Sequence, residues 1–128
     1  MILADTTVWI DFLAGRAGAL PLRSLLAANR VVCHPAVRGE IALGRIARRN
    51  EVLRLLSQLP SVQVVGDDDV FAMIDARKLH ASGIGWIDAH LLASAFAGGH
   101  RIWTGDKRLA RIAARLRVLA DPMTFGPK

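Results

Sequence analysis

Four acidic residues stand at the junctions between predicted strands and helices of this 128-residue chain. Asp5 ends the first apolar run, and Asp106 follows a later one. Because the carboxyl ends of parallel strands meet at one edge of a sheet, we expect both carboxylates there. Glu40 lies one or two turns into a predicted helix, and Asp88 lies in the first turn of another, where the helix dipole favours an acid.

Four carboxylates that converge on one edge repel each other, so the pattern predicts a site for divalent cations. Oxygen ligands suit Mg²⁺ or Mn²⁺ better than zinc. One or two such ions on a phosphodiester can activate water and stabilise the leaving oxygen. For Asp5 taken alone, the alternative is a simple helix cap.

The elements that must position these acids begin at the first residues. The short apolar run before Asp5 is typical of a strand buried on both faces of a parallel sheet. Asp5, Thr6 and Thr7 are N-cap candidates for the helix that follows.

Strands and helices alternate along the rest of the chain, which predicts an α/β fold with a parallel sheet and right-handed crossovers. We expect Asp67, Asp68 and Asp69 to cap a helix and to complement its dipole. The three tryptophans, Trp9, Trp86 and Trp103, are expected in the core rather than stacked on bases. Further strands are predicted over 31–34, 61–65, 101–104 and 117–119, and helices over 20–29, 35–46, 50–58, 67–79, 86–98 and 107–114, with a tail over 122–128.

Composition narrows the class of protein. A hydrophobic content of 52% excludes a disordered chain. The start of the chain predicts no signal peptide, and the apolar stretch 81–99 contains Asp88 and His90, so no membrane span is expected. A single cysteine, Cys33, allows no internal disulfide and reads as a small buried hydrophobe, which predicts a cytoplasmic protein.

The chain carries 17 Lys and Arg against 11 Asp and Glu, a net charge of +6. Arginine dominates, and arginine is preferred where phosphate is gripped in a fixed geometry. The charge therefore indicates a polyanion or an acidic protein as partner. The alternatives are an ordinary solvated surface or a GC-rich genome that favours arginine codons.

Four stretches in order resemble the PIN-domain ribonucleases, and more narrowly the VapC toxins of bacterial toxin–antitoxin pairs. The matching segments are LADTTVWID (3–11), HPAVRGEIALG (34–44), DAHLLASA (88–95) and WTGD (103–106). The resemblance covers essentially the whole chain, so 1–128 is expected to be a single PIN domain. It implies a three-layer α/β/α fold with a parallel sheet of four to five strands.

The resemblance also implies site residues. It assigns Asp5, Glu40, Asp88 and Asp106 to an acidic cluster that binds one or two Mg²⁺ or Mn²⁺ ions. Thr7 and Thr104 are implied as supporting hydroxyls, with Thr7 standing where serine is frequent. Candidate contacts to the RNA backbone, which flank the motifs carrying Glu40 and Asp106, are Arg38, Arg45, Arg48, Arg49, Lys107, Arg108 and Arg111.

The implied activity is hydrolysis of phosphodiester bonds in a structured RNA, such as a tRNA or a ribosomal RNA loop, at unpaired positions. The implied role is the toxin of a type II pair that inhibits translation and is neutralised by a VapB-type antitoxin. Homodimers and larger toxin–antitoxin assemblies are implied too. The apolar residues of 50–59 and of the early helices could serve either interface or the core.

Other α/β classes fit less well. A response-regulator receiver needs an acidic pair after the first strand, and a haloacid-dehalogenase-type phosphatase needs a second aspartate where Thr7 stands. A Rossmann dehydrogenase needs a glycine-rich turn there. The remaining rival is a catalytically inactive PIN-like module that binds RNA or protein, against which the presence of all four acids argues.

Overall fold

The sheet of the protein is centred on the strand β1 (Ile2–Ala4). In the computed structural model, which describes residues 1–121, β2 (Val31–Val32) and β3 (Arg101–Trp103) run parallel to β1 on either side. All three residues of β1 are buried, although successive side chains point to opposite faces. Both faces of the sheet are therefore covered by helices, which confirms the α/β/α arrangement. The predicted tail over 122–128 lies outside the described residues.

Within residues 1–121 the sheet has three strands, in the order β2-β1-β3, rather than the expected four or five. The predicted strand 61–65 is reduced to one parallel bridge, between Ser61 and Cys33. It stops there because the next residue after Cys33, His34, leaves the sheet to cap a helix that begins with Pro35.

The predicted strand 117–119 is likewise reduced to one bridge, between Leu119 and Ile102. Backbone hydrogen bonds of 2.7 Å on each side of Ile102 anchor this segment to β3. The pairing is short because β3 ends at Trp103 and the chain turns away toward Asp106. At each outer edge of the sheet, the predicted additional strand is therefore replaced by a single bridge.

Seven α-helices and a 3-10 turn at Ala17–Ala19 make up most of the remainder of the described chain. No helix among residues 1–121 has the length and apolar character needed to cross a membrane. The helices are α1 (Thr6–Leu13), α2 (Pro21–Ala27), α3 (Pro35–Leu43), α4 (Arg49–Gln58), α5 (Asp67–Ala76), α6 (Trp86–Gly98) and α7 (Lys107–Arg115).

Three helices are shorter than predicted. Helix α2 spans Pro21–Ala27 instead of 20–29, and Asn29 has a left-handed backbone with φ of 56°. Helix α3 ends at Leu43 because Gly44 has extended backbone angles, and Ile46 packs on the core from the following loop. Helix α5 ends at Ala76 instead of residue 79, because Lys78 adopts a left-handed conformation with φ of 56°.

The predicted capping role of the aspartate triplet is only half right. The N-cap of α5 is Gly66, which makes no side-chain cap bond, and Asp67, Asp68 and Asp69 occupy the first turn itself. There their charges complement the positive end of the helix dipole.

Two of the three tryptophans lie in the core as expected, since Trp9 is 0% and Trp103 is 5% exposed. Cys33 is also buried. Trp86 departs from the prediction: it is 41% exposed at the start of α6. An apolar residue in a first helical turn can face solvent even when the helix behind it is buried.

Candidate active site

Asp5 joins β1 to α1 and is nearly inaccessible, at 4% exposure. Its Oδ1 accepts a hydrogen bond from the Val8 amide (3.1 Å) and one from the Thr7 hydroxyl (2.5 Å), so the carboxylate does cap α1. Its Oδ2 accepts a hydrogen bond from the Thr104 hydroxyl. Burial raises the pKa of Asp5 above its ordinary 3.8, and the hydrogen bonds from Thr104, Thr7 and Val8 oppose that shift.

Thr7 and Thr104, the two hydroxyls implied by the resemblance, both contact Asp5 and also bind the loop after β3. Thr7 Oγ1 accepts a hydrogen bond from the Gly105 amide at 2.8 Å. Thr104 Oγ1 accepts one from the Asp106 amide at 2.9 Å. The start of α1 and the loop that leads to α7 are therefore joined through the two threonines around one carboxylate.

Asp106 lies at the N-terminus of α7 and is exposed. Its Oδ1 accepts hydrogen bonds from the amides of Arg108 (2.8 Å) and Leu109 (3.1 Å). The carboxylate thus caps α7 as Asp5 caps α1, and the two caps follow neighbouring parallel strands at the same sheet edge.

Glu40 lies in the second half of α3 with its side chain exposed. Its Oε1 accepts a hydrogen bond of 2.8 Å from the hydroxyl of Thr6, the first residue of α1. Sequence reasoning did not select Thr6. The signal available was a hydroxyl directly after Asp5, but which helix it would face depends on the packing of α1 against α3.

Asp88 lies in the first turn of α6, where the Gly85 amide is 3.4 Å from its Oδ2. Burial raises the pKa of Asp88 above 3.8, and the negative charges of Asp5, Asp106 and Glu40 raise it further. Asp88 therefore lies near enough to the other three acids predicted from sequence for their charges to act on it. We call these four residues the acidic cluster.

The donor chemistry of the acidic cluster fits a hard divalent cation, because all the ligands on offer are carboxylate oxygens. No salt bridge within residues 1–121 neutralises any of the four acids. Within the same residues, no three acidic, histidine or cysteine side chains are close enough together to hold a metal ion as they stand. Of the four acids, Glu40 and Asp106 have exposed side chains, whereas Asp5 is buried and Asp88 is partly buried.

The candidate RNA contacts fall into two groups. Around the junction of α3 and α4, Arg49 donates to the Ala42 carbonyl at 2.9 Å and Arg48 lies 3.4 Å from Glu51, so both have local structural partners. On α7, the exposed basic residues begin next to Asp106 of the acidic cluster: Lys107, Arg108 and Arg111. Arg38 and Arg45 are exposed on either side of Glu40 in the sequence.

Comparison with known proteins identifies the fold family. A family model described as the PIN domain matches residues 2–115. The chain is 46% identical over 119 residues to proteins named Ribonuclease VapC32 from two strains of Mycobacterium tuberculosis, CDC 1551 / Oshkosh and H37Rv. Each alignment covers 92% of this chain and 94% of the relative. The chain therefore belongs to the PIN-domain family and, within it, is a relative of the VapC ribonucleases.

Proposed function

We propose that the chain is the toxin of a type II toxin–antitoxin pair, a metal-dependent endoribonuclease that cuts structured RNA at unpaired positions and so inhibits translation. The observation that carries the proposal is the acidic cluster, in which the charges of Asp5, Asp106 and Glu40 all act to raise the pKa of Asp88. Membership of the PIN family and the name of the mycobacterial relatives support an RNA substrate.

In the proposed reaction, Asp5, Glu40, Asp88 and Asp106 are the ligands. One or two Mg²⁺ or Mn²⁺ ions bound there would activate water for attack on phosphorus and stabilise the leaving oxygen. Thr7 and Thr104 hold the Asp5 carboxylate in one orientation. Thr6 orients Glu40. These hydroxyls limit the rearrangement that the carboxylates must undergo when a cation arrives.

The basic side chains of α7 are proposed to bind the RNA backbone. Lys107 and Arg108 directly follow Asp106, and Arg111 lies about one turn farther along α7, so a phosphate bound at the start of α7 lies next to Asp106 of the acidic cluster. Their contribution is electrostatic and independent of sequence. The proposed substrate is a tRNA or a ribosomal RNA loop, where bases are free of a duplex.

An antitoxin partner is proposed for an apolar groove of about 690 Å³ between α1, α2 and α4. Ile10, Leu13 and Leu55 line it and remain 36–47% exposed. Arg23 and Arg45 stand in the same wall. Such a groove fits an amphipathic antitoxin segment with acidic flanks.

We also propose, from the family resemblance, that the toxin forms a homodimer. Analytical ultracentrifugation of the purified chain tests this oligomeric state.

The first test is cleavage of total cellular RNA by the purified chain with Mg²⁺ or Mn²⁺. We expect discrete fragments, which disappear with EDTA and with Asp5→Asn. The matched control is Asp11→Asn, because Asp11 is an acid on the same helix that pairs with Arg16 at 2.5 Å, outside the acidic cluster. That variant should cut like the wild-type protein.

The result that overturns the proposal is equally specific. Well-folded protein, free of antitoxin, that retains RNA without cutting it in either metal is a binding module. Cutting that survives EDTA or Asp5→Asn would move the active site away from the acidic cluster.

A further inference from the structure

A second cavity, of about 230 Å³, lies between the end of α5, the loop 77–85 and the first turn of α6. We call it the Trp86 cavity. Pockets for drug-sized ligands span about 300–1,000 Å³, so this one suits a planar group of one or two rings. Its lining is mainly apolar, with one imidazole, and includes Ile74, Leu79, His80, Ile84, Trp86 and Ala89.

The Trp86 cavity adjoins the acidic cluster. Gly85 lines the cavity, and its backbone amide lies 3.4 Å from Asp88 Oδ2. Arg108 links the same two regions, because its amide donates to Asp106 Oδ1 and its side chain lies against Gly83 of the loop 77–85. A ligand in this cavity therefore lies next to one of the proposed metal ligands.

The indole of Trp86 is fixed in place although it is 41% exposed. The Phe71 ring packs beside it with centroids 4.9 Å apart, and the His90 ring meets it edge-on at 4.5 Å. His90 Nε2 in turn lies 3.2 Å from an Asp67 carboxylate oxygen. An exposed aromatic side chain that is already ordered loses little entropy when a second ring stacks on it.

A positive charge lies on the loop that forms the cavity. A Cβ atom added to Gly83 would come within 2.9 Å of Arg108 Cδ and 3.4 Å of its Nε, so the Arg108 side chain rests on Gly83. Arg108 forms no salt bridge within the described part of the chain. Its guanidinium is free to bind a phosphate group.

We propose that the Trp86 cavity binds one unpaired nucleobase of the RNA, next to the phosphate that is cut, and that Arg108 contacts an adjoining phosphate. The inference rests on the proposed ribonuclease function for the identity of its ligand. The aromatic wall of the cavity suits a base, and the Arg108 guanidinium suits a phosphate. The acidic cluster, with its proposed metal ligands, suits the bond that is cut. A second copy of this chain fits less well, since it carries the same net charge of +6.

The test measures binding in EDTA, so that no RNA is cut. Fluorescein-labelled decaribonucleotides of adenine, cytosine and uracil are titrated with wild-type protein, Trp86→Ala and Trp86→Phe. We expect Trp86→Ala to weaken binding of at least one oligomer by about tenfold or more, and Trp86→Phe to restore most of it. The matched control is Phe96→Ala, an aromatic residue 36% exposed on the same helix and outside the cavity, which should bind like the wild type.

Tryptophan fluorescence of the wild-type protein gives a second readout, which does not depend on whether a variant folds. Trp9 and Trp103 are buried, so saturable quenching by an oligomer reports on Trp86. Absence of quenching by all three oligomers overturns the inference. So does equal binding by Trp86→Ala, or a Trp86→Ala variant whose changed oligomeric state accounts for its weaker binding.

Failure of this inference is distinguishable from failure of the proposed function. A protein that cuts RNA but binds the oligomers equally well with alanine at position 86 is a ribonuclease without this base site. A protein that shows Trp86-dependent binding and quenching but never cuts has the base site and lacks the nuclease activity.

Discussion

Thr104 donates its hydroxyl hydrogen to the buried Oδ2 of Asp5, a residue 99 positions earlier in the chain. The same Thr104 oxygen accepts the amide hydrogen of Asp106. One threonine thus fixes the positions of two members of the acidic cluster, on two neighbouring strands of the sheet.

Replacement of Thr104 by valine removes both of these hydrogen bonds. Since Asp5 is almost fully buried, its Oδ2 is left without that donor, and we expect the free energy of unfolding to fall by about 1–3 kcal/mol. RNA cleavage should fall by about 10- to 100-fold. Denaturant unfolding and initial rates measure the two effects.

The control for Thr104→Val is Ser57→Ala, which removes an exposed hydroxyl bonded to the Arg54 carbonyl. It should change stability by less than about 0.5 kcal/mol. Equal stability of the two variants would contradict the assigned role of Thr104.

The pH dependence of stability follows from Asp5 and Asp88. Burial raises the pKa of both in the folded protein, whereas the unfolded chain has the ordinary 3.8. Between these values the folded state binds more protons, so without metal the free energy of unfolding contributed by these acids falls as the pH rises above 3.8. Asp5→Asn should flatten this slope, as measured by urea unfolding across the pH range.

Divalent metal should reverse that trend near neutral pH. Protonated carboxylates do not bind cations well, so Mn²⁺ should raise the melting temperature at pH 7 and much less at acidic pH. Chelation with EDTA should abolish the increase. An equal increase for the wild type and Asp5→Asn at pH 7 would place the metal elsewhere.

Thr6 is predicted to act through Glu40. Thr6→Val removes the 2.8 Å hydrogen bond to Glu40 Oε1 while changing little else, because Glu40 is exposed. We expect the Mn²⁺ concentration for half-maximal cleavage to rise by about tenfold or more, with stability within about 0.5 kcal/mol of the wild type. The measurement is RNA cleavage as a function of Mn²⁺ concentration. An unchanged half-maximal concentration would show that the hydrogen bond from Thr6 does not affect metal binding by Glu40.

Gly83 and Gly15 offer a matched pair. Both have a left-handed backbone, with φ of 89° and 74°, so alanine at either position should cost about 1 kcal/mol. At Gly15 an added Cβ meets nothing within 4 Å, whereas at Gly83 it meets Arg108. RNA binding measured by fluorescence anisotropy should therefore weaken for Gly83→Ala alone. Equal weakening by both would point to the backbone rather than to Arg108.

The proposed antitoxin groove is tested by placing a negative charge in its wall. Leu55→Glu places an acid in the apolar wall of the groove and should abolish neutralisation by the cognate antitoxin while RNA cleavage continues. Leu43→Glu is the control, since Leu43 is 92% exposed and does not line the groove. Cleavage assays with added antitoxin separate the two variants, and loss of neutralisation in both would remove the groove as the docking site.

The parts of the fold that follow local rules could be predicted from the sequence. Asp5 and Asp106 each end a strand and begin a helix, so strand patterning and capping preference together placed both at one sheet edge. The same reasoning located all seven helices to within a few residues.

The parts that depend on packing between elements could not be predicted. The bond from Thr6 to Glu40 requires the relative placement of α1 and α3, which no local pattern encodes. Trp86 resembles Trp9 and Trp103 in its apolar context, yet only the arrangement of α5 against α6 leaves it exposed. The single-residue bridges at the sheet edges likewise depend on where neighbouring strands turn away.

The distance in sequence between Asp5 and Thr104 has a consequence for the timing of synthesis. At about 5–20 residues per second, Thr104 is added roughly 5–20 s after Asp5. Neither the central strand pairing with β3 nor the complete acidic cluster can form before then. A nascent chain that stops short of Asp106 therefore lacks part of the proposed nuclease site, which can mature only after β3 and the loop behind it have been synthesised.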